Sequence, residues 1–191
     1  MLQSDEEADE SSGQLIRIVG IGASAGGLEA FSELLRALSA NTGMAFVLVQ
    51  HLDPLHDSQL PEILQQTTAM PVQAAMDGMA IKRNRVYVIP PNYNLTVSGN
   101  VLHLTPRIAH TLNLPINTLF ESLAEQRGRN AIAVVLSGTG NDGSEGLKAI
   151  KKRSGITLVQ TESRATKMAS PGRPTLLRMM RGVRNEFSTC R

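Results

Sequence analysis

Four short runs limit what this chain can become: LIRIVGIG (15–22), AFVLVQH (45–51), AIAVVLSG (131–138) and GITLVQ (155–160). Each is apolar on consecutive positions rather than on alternate ones, as expected of a strand covered on both faces. The segments between them repeat at helical spacing instead. Leu28, Phe31, Leu34, Leu35 and Leu38 mark one helix starting at Gly27. Pro61–Gln66, Asn117–Arg127 (with Leu119, Phe120 and Leu123 on its buried face) and Ser144–Arg153 mark three more. Buried strands alternating with amphipathic helices predict an α/β fold, a doubly wound and mainly parallel sheet with helices on both faces. Residues 72–106 read differently, as short alternating strands punctuated by Asp77-Gly78 and Ser98-Gly99-Asn100. They predict an antiparallel β-hairpin insert. Residues 108–116 read as a loop, and no internal repeat is evident.

Length and composition narrow the function classes. A chain of 191 residues suffices for one domain with a real core. The ends differ from the middle. Residues 1–14 hold Asp5, Glu6, Glu7, Asp9 and Glu10 and no base, and read as a disordered acidic segment. Residues 163–191 are basic, with Arg164, Lys167, Arg173, Arg178, Arg181, Arg184 and Arg191 against Glu186 alone. With aromatic residues at 3% there is little to stack on bases, so nucleic acid is not an expected partner. No run reaches membrane-spanning length and no signal peptide opens the chain, which predicts a cytoplasmic protein without membrane insertion. The single Cys190 excludes a disulfide framework and a cysteine zinc site.

Sites on doubly wound sheets lie beyond the carboxyl ends of the strands. Three such ends carry polar residues competent for catalysis: Gly22-Ala23-Ser24, Gln50-His51, and Ser137-Gly138-Thr139-Gly140-Asn141-Asp142-Gly143. Gly22-x-Ser24-x-Gly26 has the spacing of a nucleophile elbow, whose glycines allow a tight strand-to-helix turn. The same residues also fit a glycine turn whose serine caps the helix. A dinucleotide site needs G-x-G-x-x-G and an acid ending the second strand. Here Gly26 comes one position late and the second strand ends in Gln50-His51, so that reading loses ground. His51 ends an apolar strand, where a leucine would pack better; it is the expected general base for Ser24, or else a hydrogen-bonded boundary histidine. Asp142 is either the acid that orients the imidazole or an N-capping aspartate in an Asx turn. A metal site from His51, Asp53, His56 and Asp57 is disfavoured, because Pro54 prevents helical alignment of the two histidines.

Taken together, IVGIGASAGGLEAF, VLVQHLDP, DGMAIKRNRVYVIPPNYNL, LPINTLFESLAEQRGRNAIAVVLSGTGNDGSEGLKAIK and GITLVQ resemble the catalytic domain of the CheB-type chemotaxis protein-glutamate methylesterases. The resemblance covers residues 15–162, and QHLDP and LPIN-LF-SLAE are most similar to the methylesterase domain of CheB/CheR methyltransferase fusions. It implies Ser24 as nucleophile, His51 as general base and Asp142 as orienting acid. The oxyanion donors would be backbone N–H groups of Ala25 and the Thr139 region. The implied reaction removes methyl esters from glutamate side chains of methyl-accepting chemotaxis receptors, with deamidation of receptor glutamines as a second activity. It implies no cofactor and no metal; the receptors, or related signalling proteins, and a CheR-type methyltransferase are the implied partners.

Two departures from the family pattern shape the remaining expectations. Only the short acidic segment precedes the first strand, where family members often carry a receiver domain. After GITLVQ the family continues through a segment like AKYDGMPRSAI to a last strand, whereas this chain reads SRATKMASPGRPTLLRMMRGVRNEFSTCR. Such a change is what a truncation or frameshift would produce. A second reading follows from it: a non-catalytic signalling or interaction domain left by loss of the C-terminal part of the fold.

Overall fold

The computed structural model describes residues 15–23, 27–50, 59–108, 111–136 and 141–160. The acidic segment 1–14, the basic segment 163–191, and the residues Ser24, Ala25, His51, Asp53, His56, Asp57 and Thr139 lie outside the described residues.

Six parallel strands form the main sheet. β1 (Ile18–Ala23), β2 (Ala45–Gln50), β3 (Val72–Ala74), β5 (Arg85–Val88), β8 (Ile132–Leu136) and β9 (Ile156–Val159) lie in the order β3-β5-β2-β1-β8-β9. A second, antiparallel sheet has the order β4-β7-β6, from β4 (Met79–Ala80), β6 (Tyr93–Ser98) and β7 (Val101–Pro106). The helices are α1 (Gly27–Ala37), α2 (Leu60–Gln65), α3 (Pro115–Arg127) and α4 (Ser144–Lys152). The doubly wound sheet expected from the apolar runs is therefore present. Among the described residues no helix is long and apolar enough to cross a membrane.

The two-residue period of β1 divides the interior. Val19, Ile21 and Ala23 face one core with Phe31, Leu34 and Leu35 of α1 and Leu60 and Leu64 of α2. Ile18 faces the other, with Ile116, Leu119, Phe120 and Leu123 of α3, Ile150 of α4, and Leu95, Val97 and Leu102 of the small sheet. Both faces are covered, which is why the β1, β2 and β8 sequences need no polar alternation.

The 72–106 region corrects the sequence reading. Only Tyr93–Ser98 and Val101–Pro106 form the expected hairpin, with β4 added at Met79–Ala80. Val72–Ala74 and Arg85–Val88 join the parallel sheet, β5 pairing with both β2 and β3. Short strands with polar ends look alike in either sheet, and a parallel partner is distant in sequence. The expected loop at 108–116 is also shorter, since α3 already begins at Pro115. Proline suits that first position because its missing N–H has no partner there to lose.

Arg127, in the last turn of α3, is only 5% exposed and ties the two sheets together. Its Nε donates to the Ile16 carbonyl at 3.2 Å, and its Nη2 to the Gly99 carbonyl at 2.6 Å and to Asn100 Oδ1 at 3.2 Å. Asn100 Oδ1 also accepts the Ile16 N–H at 3.1 Å. Burial lowers the Arg127 pKa, and carbonyl dipoles take the place of a counter-ion.

Candidate active site

Strand order reverses at β1, which has β2 on one side and β8 on the other. The crevice beyond the carboxyl ends of β1 and β8 is therefore the topological switch point, the ordinary ligand site of such sheets. The register brings three strand ends level: Ala23 is the partner of Gln50 in β2 and of Leu136 in β8. Ser24 follows the first of these, His51 the second, and the glycine-rich turn leading to Asp142 the third.

Of the three expected site residues, Asp142 lies within the described residues. It caps a helix, but that helix is α3 rather than the α4 that follows it. Its Oδ2 accepts the Ile116 N–H at 3.0 Å and its Oδ1 the Asn117 N–H at 2.9 Å. These are the second and third residues of α3, the N–H groups a cap normally serves. The residue at the cap position itself is Leu114, which has no side-chain acceptor. Asp142 substitutes for it, 26 residues beyond Ile116 in the chain, and its charge suits the positive end of the helix. A carboxylate has about four acceptor positions. Two of them serve the head of α3.

The arrangement is reciprocal. Asn117, 5% exposed, points its Oδ1 at the head of α4, accepting the Gly143 N–H at 3.0 Å and the Gly146 N–H at 2.9 Å. The residue before α4 is Gly143, with φ +101°, which again brings no side-chain acceptor. Each helix thus completes the first turn of the other.

Two glycines of GIGASAGG also serve packing within the sheet. Gly20 and Gly22 lie inside β1 rather than in the turn, and face α3. A Cβ at Gly22 would stand 2.4 Å from Ile116 Cγ2, and one at Gly20 would stand 2.6 Å from Leu123 Cδ1. Both distances are far inside contact, so the missing side chains are what let α3 lie directly on β1. Ile116 is consequently seated against β1 by its side chain and held by Asp142 through its backbone.

Two further residues lie at this end of the sheet: Gln50, which the sequence placed at the end of the second strand, and Arg107, which sequence reasoning missed. The Gln50 carboxamide packs against Gly27, where an added Cβ would lie 3.0 Å from Gln50 Cδ, and its buried Oε1 has no hydrogen-bond donor among the described residues. Arg107, just past β7, is partly buried; desolvation lowers its pKa while the Asp142 charge opposes that shift. Arg107 carries no motif, and only the folded chain brings it to this end of the sheet. Among the described residues no group of three or more His, Cys, Asp or Glu could hold a metal ion.

A parallel α/β domain covered on both faces, with polar residues gathered at its switch point, is the architecture of many hydrolases. Comparison with known proteins narrows the class. The family model for the CheB methylesterase matches residues 19–175, and the chain belongs to that family. It is 30% identical over 167 residues to protein-glutamate methylesterase/protein-glutamine glutaminase 2 of Methanospirillum hungatei, covering 86% of this chain and 47% of the relative. It is 32% identical over 168 residues to protein-glutamate methylesterase/protein-glutamine glutaminase 3 of Hahella chejuensis, covering 87% of this chain and 48% of the relative. The chain thus spans about half the length of these curated relatives. Among solved structures it is similar to the Thermotoga maritima CheB methylesterase catalytic domain. The TM-score is 0.67 at 28% identity, covering 74% of this chain and 78% of that one.

Proposed function

We propose that this chain is a serine hydrolase that removes methyl esters from glutamate side chains of methyl-accepting chemotaxis receptors or related signalling proteins, acting in the cytoplasm. The observation that carries the reading is the level register of Ala23, Gln50 and Leu136, from which the chain continues to Ser24, His51 and the Asp142 turn. Family membership supports it.

In this reading His51 accepts the Ser24 hydroxyl proton as Oγ attacks the ester carbonyl, and Asp142 holds the imidazole in the required tautomer. The tetrahedral oxyanion is stabilised by backbone N–H groups of Ala25 and the Thr139 region. Collapse expels methoxide, which takes the proton from His51 and leaves as methanol. Water, activated by His51, then hydrolyses the acyl-enzyme and releases a glutamate carboxylate. A glutamine side chain follows the same course with ammonia as the leaving group. A CheR-type methyltransferase, which makes the ester, is the complementary partner.

The test is methanol release from methylated receptor by the full chain, with Ser24→Ala in parallel. Loss of the nucleophile should lower the rate by 10³-fold or more. Equal rates would exclude Ser24 as the nucleophile.

A further inference from the structure

Arg107 is held by one edge only. Its backbone N–H donates to the Asn92 carbonyl at 2.7 Å and its Nε to the Tyr93 carbonyl at 2.9 Å. Its two terminal nitrogens make no hydrogen bond or ion pair among the described residues. Asp142 acts on it through space, while both Asp142 oxygens bond to N–H groups at the head of α3. A partly desolvated guanidinium with uncommitted donors is an incomplete arrangement, and its planar fork matches a carboxylate bidentately.

Its surroundings define the rim of the crevice. Val97 N–H donates to Ser122 Oγ and Gly99 N–H to Gln126 Oε1, so the start of β6, where Arg107 is held, lies towards the head of α3. There the Asp142 charge acts on Arg107, Asp142 holds Ile116, and Ile116 lies on Gly22, two residues before Ser24. Thr111 Oγ1 and Asn113 Nδ2 both donate to the Ile108 carbonyl, at 2.8 and 3.1 Å. Ile108 and Leu112 are left 70% and 85% exposed. A cation and two exposed aliphatic side chains on one rim suit a polypeptide that is both acidic and apolar.

We propose that Arg107 is a specificity-determining residue that binds a carboxylate side chain of the substrate polypeptide, next to the glutamyl ester being hydrolysed. The proposal rests on the esterase reading above. It makes the enzyme select esters lying within acidic segments over the same esters in neutral ones.

Two labelled peptides, identical except for Glu or Gln beside a methyl-glutamyl residue, separate the possibilities. Binding to the full chain is read by fluorescence anisotropy, and hydrolysis of the same peptides by methanol release. Wild type should bind the Glu peptide about tenfold more tightly than the Gln peptide, the scale of one charge-assisted contact. That ratio should fall towards one in about 0.5 M salt, an arm that needs no variant. It should also fall towards one in Arg107→Gln, and Arg107→Lys should keep part of it. Equal affinities in wild type, or an undiminished ratio in Arg107→Gln, would overturn the assignment. Absence of hydrolysis of either peptide would count against the esterase reading, while the binding ratio would still decide the role of Arg107.

Discussion

Adding one methyl group at Gly22 should disturb the crevice more than its size suggests. The new Cβ of Gly22→Ala would meet Ile116 Cγ2 at 2.4 Å, Cδ1 at 3.0 Å and Cγ1 at 3.1 Å. An ordinary contact is about 3.5–4.0 Å, so Ile116 must retreat by about 1 Å. Ile116 has little room, since a Cβ built on Gly143 would stand 3.0 Å from its Cγ2 on another side. Overpacking of this kind costs about 1–3 kcal/mol. Replacing glycine with alanine returns about 0.4–1 kcal/mol by restricting the unfolded chain. The net expectation is a loss of about 1–2 kcal/mol, measured as a lower guanidinium midpoint at unchanged m. Ile116→Ala alone should cost about 2–5 kcal/mol, as a large-to-small change in a core. In the double variant the alanine methyl occupies space that Ile116 has vacated. The two losses should then fall short of their sum by at least about 1 kcal/mol. Strictly additive losses, or a Gly22→Ala variant as stable as wild type, would show that α3 does not bear on β1 as described.

Two further perturbations probe the same framework. Asn117→Ala removes the acceptor for the Gly143 and Gly146 N–H groups. It should destabilise the domain by about 2–4 kcal/mol in a denaturant titration, two buried donors being left unmade. A loss below about 1 kcal/mol would remove the reciprocal cap from the account. Tyr87 is buried, and desolvation raises its pKa above the ordinary 10.0. A raised folded-state value means that stability is intact below pH 10 and declines as pH climbs from there through the folded pKa. Tyr87→Phe should abolish this alkaline decline. It should also cost about 1–2 kcal/mol at neutral pH, because the hydroxyl accepts the Lys82 N–H at 2.7 Å and donates to the Ala80 carbonyl at 3.3 Å. Parallel melting of wild type and variant above pH 10 would refute the assignment.

What could be read in the sequence was what repeats locally. Val19, Ile21 and their neighbours announced a strand covered on both faces because burial on each side leaves no polar position to alternate. The helices showed themselves through three- and four-residue spacing. Arg85–Val88 did not announce its parallel partner in β2, since nothing local separates it from a hairpin strand. The site followed the same division. Asp142 stood out as a residue type at a strand end, but its bonds to Ile116 and Asn117 cross about 25 residues of chain. Gly22 was visible as a glycine, and a glycine's purpose is set by what approaches it. Pro115 did carry a signal of a helix start, one that the surrounding LNLPI obscured.

The exchange of caps between α3 and α4 also bears on the order of folding. Neither helix has a side-chain cap at the residue before its first turn; the side-chain acceptors used lie 25–29 residues away, Asp142 just ahead of α4 and Asn117 within α3. A short helix with an uncapped head is marginal by itself. The pair therefore gains its full stability in one step, when β8 docks beside β1 and brings Asp142 and Asn117 within reach of each other's helices. The position of Asp142 at the carboxyl end of the sheet is thereby tied to the seating of α3 on β1.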